Sequence, residues 1–170
     1  MITPAHAQTF ARYNQWQNQS LFEAASRLSA GERQRDQGAF FGSIEATLNH
    51  IYWADRIWMH RIAGDPAPRA TTIPGSLTET PDWQSLVAAR ATMDERLIEW
   101  AEGLEDAALV GDLKWYSGAV GKEVSRPRTL IIAHLFNHQT HHRGQVHAML
   151  TAAGSKPSQD TDIVFMPGVA

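Results

Sequence analysis

The chain has no cysteine, which excludes disulfides, zinc–thiolate sites and a cysteine nucleophile and leaves the redox compartment open. It also lacks any concentration of Lys and Arg: fifteen basic residues face eighteen acidic ones, for a net charge of −3. Without a basic face, a nucleic-acid partner is not expected. No apolar run approaches the length of a membrane span, and no basic stretch followed by an apolar one opens the chain, so a membrane is not expected either. The cytoplasm is the expected location. Internal repeats and low-complexity tracts are missing too. What is present, 43% apolar and 19% charged residues in 170, describes an ordinary globular protein able to bury a core, and a single domain over residues 1–170 is expected.

Apolar periodicity predicts four long helices. The first covers about 6–29, with Phe10, Tyr13, Gln17, Leu21, Ala24 and Leu28 at 3–4 spacing. The second covers about 39–63, with Phe40, Ile44, Leu48, Ile51, Trp58 and Ile62 on one face, Trp53 and Ile57 widening it, and Gly64 as the stop. A proline-marked loop over 64–82 (Pro66, Pro68, Pro74, Pro81) reads as a long crossover or a site wall. Thr80 is the expected N-cap, with Pro81 opening the third helix over about 82–103. Arg90 interrupts that helix's apolar stripe without a sequence-level reason. Short alternation around Ser117-Gly118-Ala119-Val120-Gly121 predicts a small β-hairpin, with a plain loop as the alternative. Pro127 then opens the fourth helix, which ends near Gly154. The apolar patch Ile163-Val164-Phe165-Met166 is expected to dock on the helices. The expected fold is all-α, a four-helix bundle with one long crossover.

The fourth helix carries the chemistry. Eight histidines in 170 residues give roughly a one-in-three expectation of an i, i+4 pair by chance, so spacing alone is weak. Direction says more. With His138 at zero and about 100° per residue, His142 falls near +40° among Ile131, Leu135, Val146 and Met149. His134 and His141 lie on the border of that sector, and His147 faces away. His134 and His142 are about 12 Å apart along the axis, too far to share one ion, so the pair is His134 with His138 or His138 with His142. The second is better centred. Neighbouring buried imidazoles need either a divalent metal or separate polar partners, and Gln145, one turn on, could hold a metal-bound water or a substrate. A third ligand is expected from the second helix, where His50 and His60 are rivals that geometry from sequence does not separate. A di-iron bundle is excluded because no Glu-x-x-His occurs on two helices, and His-Glu-x-x-His is absent.

Asn137-His138-Gln-Thr-His-His142-Arg-Gly-Gln145 resembles the last-helix signature of the DinB/YfiT-like family, Asn-His-x-x-x-His-Arg-Gly-Gln. Leu48-Asn-His50-Ile-Tyr-Trp-Ala-Asp55-Arg-Ile-Trp58 is similar to its second-helix motif, and Tyr13-Asn-x-Trp16-x-Asn18 to its opening helix. The resemblance spans most of the chain. It implies an up-down-down-up four-helix bundle, often a homodimer, holding one divalent metal through His50, His138 and His142. It also implies kinship with thiol-dependent transferases and isomerases that use low-molecular-weight thiols.

Three neutral imidazoles leave coordination positions open, as in catalytic sites. An ion there could activate water, hold a thiolate or polarise a carbonyl. The expected function is a metal-dependent transferase of thiol S-transferase type, or a hydrolase, acting on a small molecule. The alternative is a non-catalytic metal-binding stress-response module. Imidazole ligation suits zinc, nickel or iron. Asp55 and Gln145 are the candidate catalytic residues, Asp55 as a base. Asp55 lies about 140° around the helix from His50, so an inter-helix or surface ion pair is its competing role. Tyr13, Tyr52 and Trp58 are candidates for the cavity wall or for plain core.

Overall fold

The computed structural model describes residues 2–168. Among the described residues are six α-helices, two short 3-10 helices (Asp106–Leu109 and Ile163–Phe165) and one two-stranded antiparallel sheet: α1 Pro4–Ser26, α2 Ala30–Gln34, α3 Ile44–Ala63, α4 Ile73–Ser76, α5 Trp83–Glu102, β1 Asp112–Ser117, β2 Lys122–Pro127 and α6 Arg128–Ala152. No helix among the described residues is long and apolar enough to cross a membrane.

Local chemistry sets the boundaries. Thr3 caps α1 by accepting from the His6 N–H, with Pro4 in the first turn, where its missing N–H costs nothing. Ser43 caps α3 through the Ala46 N–H, and Gly64 ends it at φ 79°, a left-handed position where a side chain would be strained. That start corrects the expected one by five residues. Residues 39–42 instead form a tight turn closed by an Ala39–Gly42 bridge, so helical periodicity does not apply there and Phe40 is 79% exposed. The cap of α5 is Asp82, accepting from the Ser85 N–H at 2.7 Å. Thr80 is instead bonded to Asn49: both its N–H and its hydroxyl donate to Asn49 Oδ1. The hairpin forms as predicted, with Trp115 opposite Val124, and Arg128 N–H donating to Gly111 O closes its base.

Helix α1 packs on α5 and α6, and α3 packs on α6 and α5. Their contacts form two apolar clusters. One joins Leu21, Phe22, Leu48, Ile51, Leu86 and Leu150; the other joins Ala11, Met59, Leu97, Ile132, Leu135 and Phe136. Between them, on every long helix, the sequence turns polar: Asn18 on α1, Asp55 on α3, Arg90 and Asp94 on α5, Gln139 and Arg143 on α6, all buried. Arg90 Nη1 donates to Asp55 Oδ2 at 2.5 Å and its Nη2 lies 2.9 Å from Asp94 Oδ1. Asn18 Nδ2 donates to Asp94 at 2.8 Å, Gln139 Nε2 to Asp55 at 2.6 Å, and Arg143 Nη1 to Gln139 Oε1 at 2.8 Å. This layer accounts for Arg90: it interrupts the stripe in order to pair two buried carboxylates from different helices.

The C-terminal tail lies along α1. Gln17 Nε2 donates to Asp160 O, and the Tyr13 hydroxyl to Thr161 O at 2.6 Å. Of the apolar patch only Met166 is buried, whereas Val164 and Phe165 are 71% and 64% exposed. The expected docking is therefore done by one side chain and by polar bonds to the tail backbone.

Candidate metal centre

The polar layer fixes the rotation of α6, and with it the aim of the histidines. Gln139 and Arg143 are one turn apart and both tied into the layer. Their sequence predecessors, His138 and His142, stand about 100° around the helix, on the side facing α3. The buried face of α6 runs through Ile132, Leu135, Gln139, Val146 and Leu150. On the angular scale used above it centres at about +95°. The two imidazoles thus occupy the edge of the buried sector, not its middle as the apolar pattern implied: His142 is buried and His138 half-buried.

From α3, His50 meets them. His50, His138 and His142 each offer one ring nitrogen, and those atoms all lie within 4.8 Å of one another. The Nε2 atoms of His50 and His138 are 3.3 Å apart, and the His138 and His142 ring centroids 4.5 Å apart. Phe41 packs on His50 and on His142, at 4.1 and 5.3 Å between centroids. The other histidines are elsewhere. His60 is exposed, with Nδ1 2.7 Å from the Asp65 carbonyl. His134 flanks the group, its ring edge-on to Trp58. His141 is exposed on the far side of His142.

Two of the three rings are held from behind. Ser76 Oγ lies 2.8 Å from His50 Nδ1 and its hydroxyl donates to Ile73 O. With that hydrogen spent, Ser76 accepts, so His50 carries its proton on Nδ1 and presents an Nε2 lone pair. Gln145 Oε1 lies 2.7 Å from His142 Nδ1 and accepts from it in the same way. Burial, and then the neighbouring charge that a protonated His142 would add, holds His50 down to about 4. Burial followed by the other imidazoles takes His138 to about 3. All are neutral near pH 7, the state in which imidazole binds a metal. The donor set therefore fits a divalent ion: three neutral nitrogens, two with their tautomer fixed by a partner behind the ring.

Gln145 is thus placed behind the His142 ring, bonded to its Nδ1. Asp55 is not brought to the imidazoles: its partners are Arg90 and Gln139, and burial pushes its carboxyl up to about 6 against the pull of Arg90. Ser76 went unnoticed at the sequence level because it sits in the proline-marked connection, where periodicity gives no direction. Tyr52 packs against the first apolar cluster and Tyr13 faces the tail.

Two expected results follow from this geometry. Ser76→Ala and Gln145→Ala each weaken metal affinity by about 10–100-fold, read by competition with a chromogenic chelator, with the fold unchanged. In metal-free protein, a folded pKa below the unfolded value of about 6.5 means the unfolded chain binds more protons below that pH. Stability contributed by His138 is then present above 6.5 and lost as pH falls towards 3. Comparing urea midpoints at pH 7 and pH 5, wild type loses on the order of 1–2 kcal/mol more than His138→Gln. Equal losses would contradict the burial of that imidazole.

The chain is 26% identical over 159 residues to Protein DinB of Bacillus subtilis (strain 168), an alignment covering 91% of each. No solved structure matches it. A family model described as DinB family matches residues 1–167, nearly the full length, so the chain belongs to the DinB family.

Proposed function

We propose that this protein binds one divalent metal ion through His50, His138 and His142 and uses it in thiol-dependent group transfer to a small molecule. The observation that carries the reading is the convergence of three neutral imidazoles from two helices within 4.8 Å, two of them oriented from behind by Ser76 and Gln145. An ion held by three protein nitrogens keeps an open position at which it can bind and activate a low-molecular-weight thiol. Transfer is favoured over hydrolysis by the placement of Asp55, the residue best suited by type to act as a base, which is bonded to Arg90 and Gln139. A thiol cosubstrate brings its own nucleophile, so such a site works without a carboxylate base. Gln145 is a positioning residue in this reading, and Asp55 acts through the polar layer that sets the rotation of α6.

The remaining parts of the reading are carried by the family resemblance: the four long helices as an up-down-down-up bundle forming one domain, a homodimer, and a cytoplasmic setting. Zinc, nickel and iron all suit the donor set. The second reading, a metal-binding stress-response module without turnover, draws on the fact that among the described residues no carboxylate is bonded to the three imidazoles.

Elemental analysis of untagged protein tests the site. About one equivalent of metal is expected in wild type and far less in His138→Ala; equal, substoichiometric content in both would remove both readings. Thiol consumption with electrophilic substrates then separates them. Activity that disappears in His50→Ala and His142→Ala, with the helical signal retained, supports the transferase. No consumption by metal-loaded wild type would leave the binding module.

A further inference from the structure

A cavity of about 460 Å³ lies between α3, the start of the crossover and β1, walled by Ile57, His60, Arg61, Pro68, Lys114 and Trp115. Three of these are basic side chains, and among the described residues no Asp or Glu lines the space, in a chain whose net charge is −3. Arg61 is the decisive member. Its guanidinium sits in the angle between two indoles, 4.8 Å from the Trp58 ring centroid and 5.5 Å from that of Trp115, which themselves meet edge-on at 5.4 Å. It is half-buried, and among the described residues it makes no ion pair and no hydrogen bond. A partly desolvated guanidinium whose five donors have no protein acceptor among the described residues is free to take an oxyanion. The acids of the adjoining connection are committed elsewhere: Asp65 to Arg96 at 2.8 Å, and Glu79 to Arg56 at 2.8 Å and to the Arg69 and Ala70 N–H groups.

We propose that this cavity binds a small organic anion, with a carboxylate or phosphate head on the Arg61 guanidinium and a flat apolar body against Trp115, Ile57 and Pro68. Cation–π contact with the two indoles holds the guanidinium in place, and its N–H donors remain for bidentate contact with an oxyanion. Lys114 and His60 add donors at the rim. Two indoles link the cavity to the imidazole group. Trp58 touches Trp115 on one side and His134, the neighbour of His138, on the other. Trp53 packs on His50 and donates to the carbonyl of Ala70, a lining residue. As the place of the electrophilic substrate, the assignment rests on the metal reading; as an anion site it stands without it.

Binding of benzoate, phenyl phosphate and uncharged benzamide to the full-length protein as purified, followed by calorimetry and indole fluorescence, tests it. Wild type is expected to bind one or both anions at least about tenfold more tightly than benzamide; the tighter of the two identifies the head group. Arg61→Gln should bring the anions to the benzamide level, and Arg61→Lys should fall between. His138→Ala should keep the preference. Equal binding of all three probes by wild type would overturn the proposal, as would a preference that survives Arg61→Gln. So would a preference lost in His138→Ala and kept in Arg61→Gln, since the anion would then be bound at the imidazoles. Metal content is measured on the same samples, so anion preference without metal refutes only the metal centre, and metal without preference refutes only the anion pocket.

Discussion

Arg90→Ala should cost about 3–5 kcal/mol, the range expected when one partner of a buried ion pair is removed and an uncompensated charge stays behind. Here two carboxylates are left, those of Asp55 and Asp94, on two different helices. Urea denaturation checks this through its midpoint. The size of the effect comes from burial: both side chains of the Arg90–Asp55 pair are almost wholly excluded from water, whereas Arg12 and Glu102 are over half exposed. Arg12→Ala is therefore expected to change stability by less than about 1 kcal/mol. Comparable losses in the two variants would show that the polar layer is wetter than its geometry implies. Arg90 lies outside the imidazole group, so its loss should also loosen metal binding through α6, while Arg12→Ala leaves binding alone.

The second large effect concerns the metal as a stabiliser. A ligand that binds only the folded chain adds about 2.7 kcal/mol at a hundredfold excess over its dissociation constant and about 4.1 kcal/mol at a thousandfold excess. Adding zinc or nickel to chelator-stripped wild type should raise the thermal midpoint by several degrees. His142→Ala should show no rise, because two remaining imidazoles make a much weaker site. Gln145→Ala should show a reduced rise, since its ligand is still present but less well held. A rise of the same size in all three proteins would mean that the ion binds elsewhere, with the exposed His134 and His141 the first places to look. Order matters here: a removed ligand must weigh more than a removed partner behind a ligand.

The sequence told more about the histidines than about what aims them. His138 and His142 were legible because i, i+4 spacing on a helix is a statement about direction. His50 needed the resemblance to separate it from His60, since residues ten apart on one helix both qualify until the facing helix is placed. Of the polar layer, an inter-helix ion pair for Asp55 and the misplaced Arg90 were legible, but the network was not. Asn18, Asp55, Arg90, Asp94, Gln139 and Arg143 each look like a flaw in one apolar stripe, and only their meeting across four helices turns the flaws into a network. A signal was there: each long helix turns polar near its middle. Short-range chemistry misled at two ends. Thr80 has the right residue type for a cap, but its hydroxyl was taken by Asn49 and Asp82 did the work. Phe40 fits the helical period of α3, but Ser43 starts that helix after it, and the neighbouring Phe41 is the one that reaches the imidazoles.

The crossover is stitched to α3 along its length: Ala70 to Trp53, Ser76 to His50, Glu79 to Arg56 and Thr80 to Asn49. One of these stitches ends on a ring nitrogen of a proposed ligand. Fixing that ring by coordination would therefore tighten the segment around Ser76, and a frayed segment would in turn let the ring swing. Amide exchange over residues 70–80 should slow when cation is supplied, in a stretch that contributes no donor atom of its own.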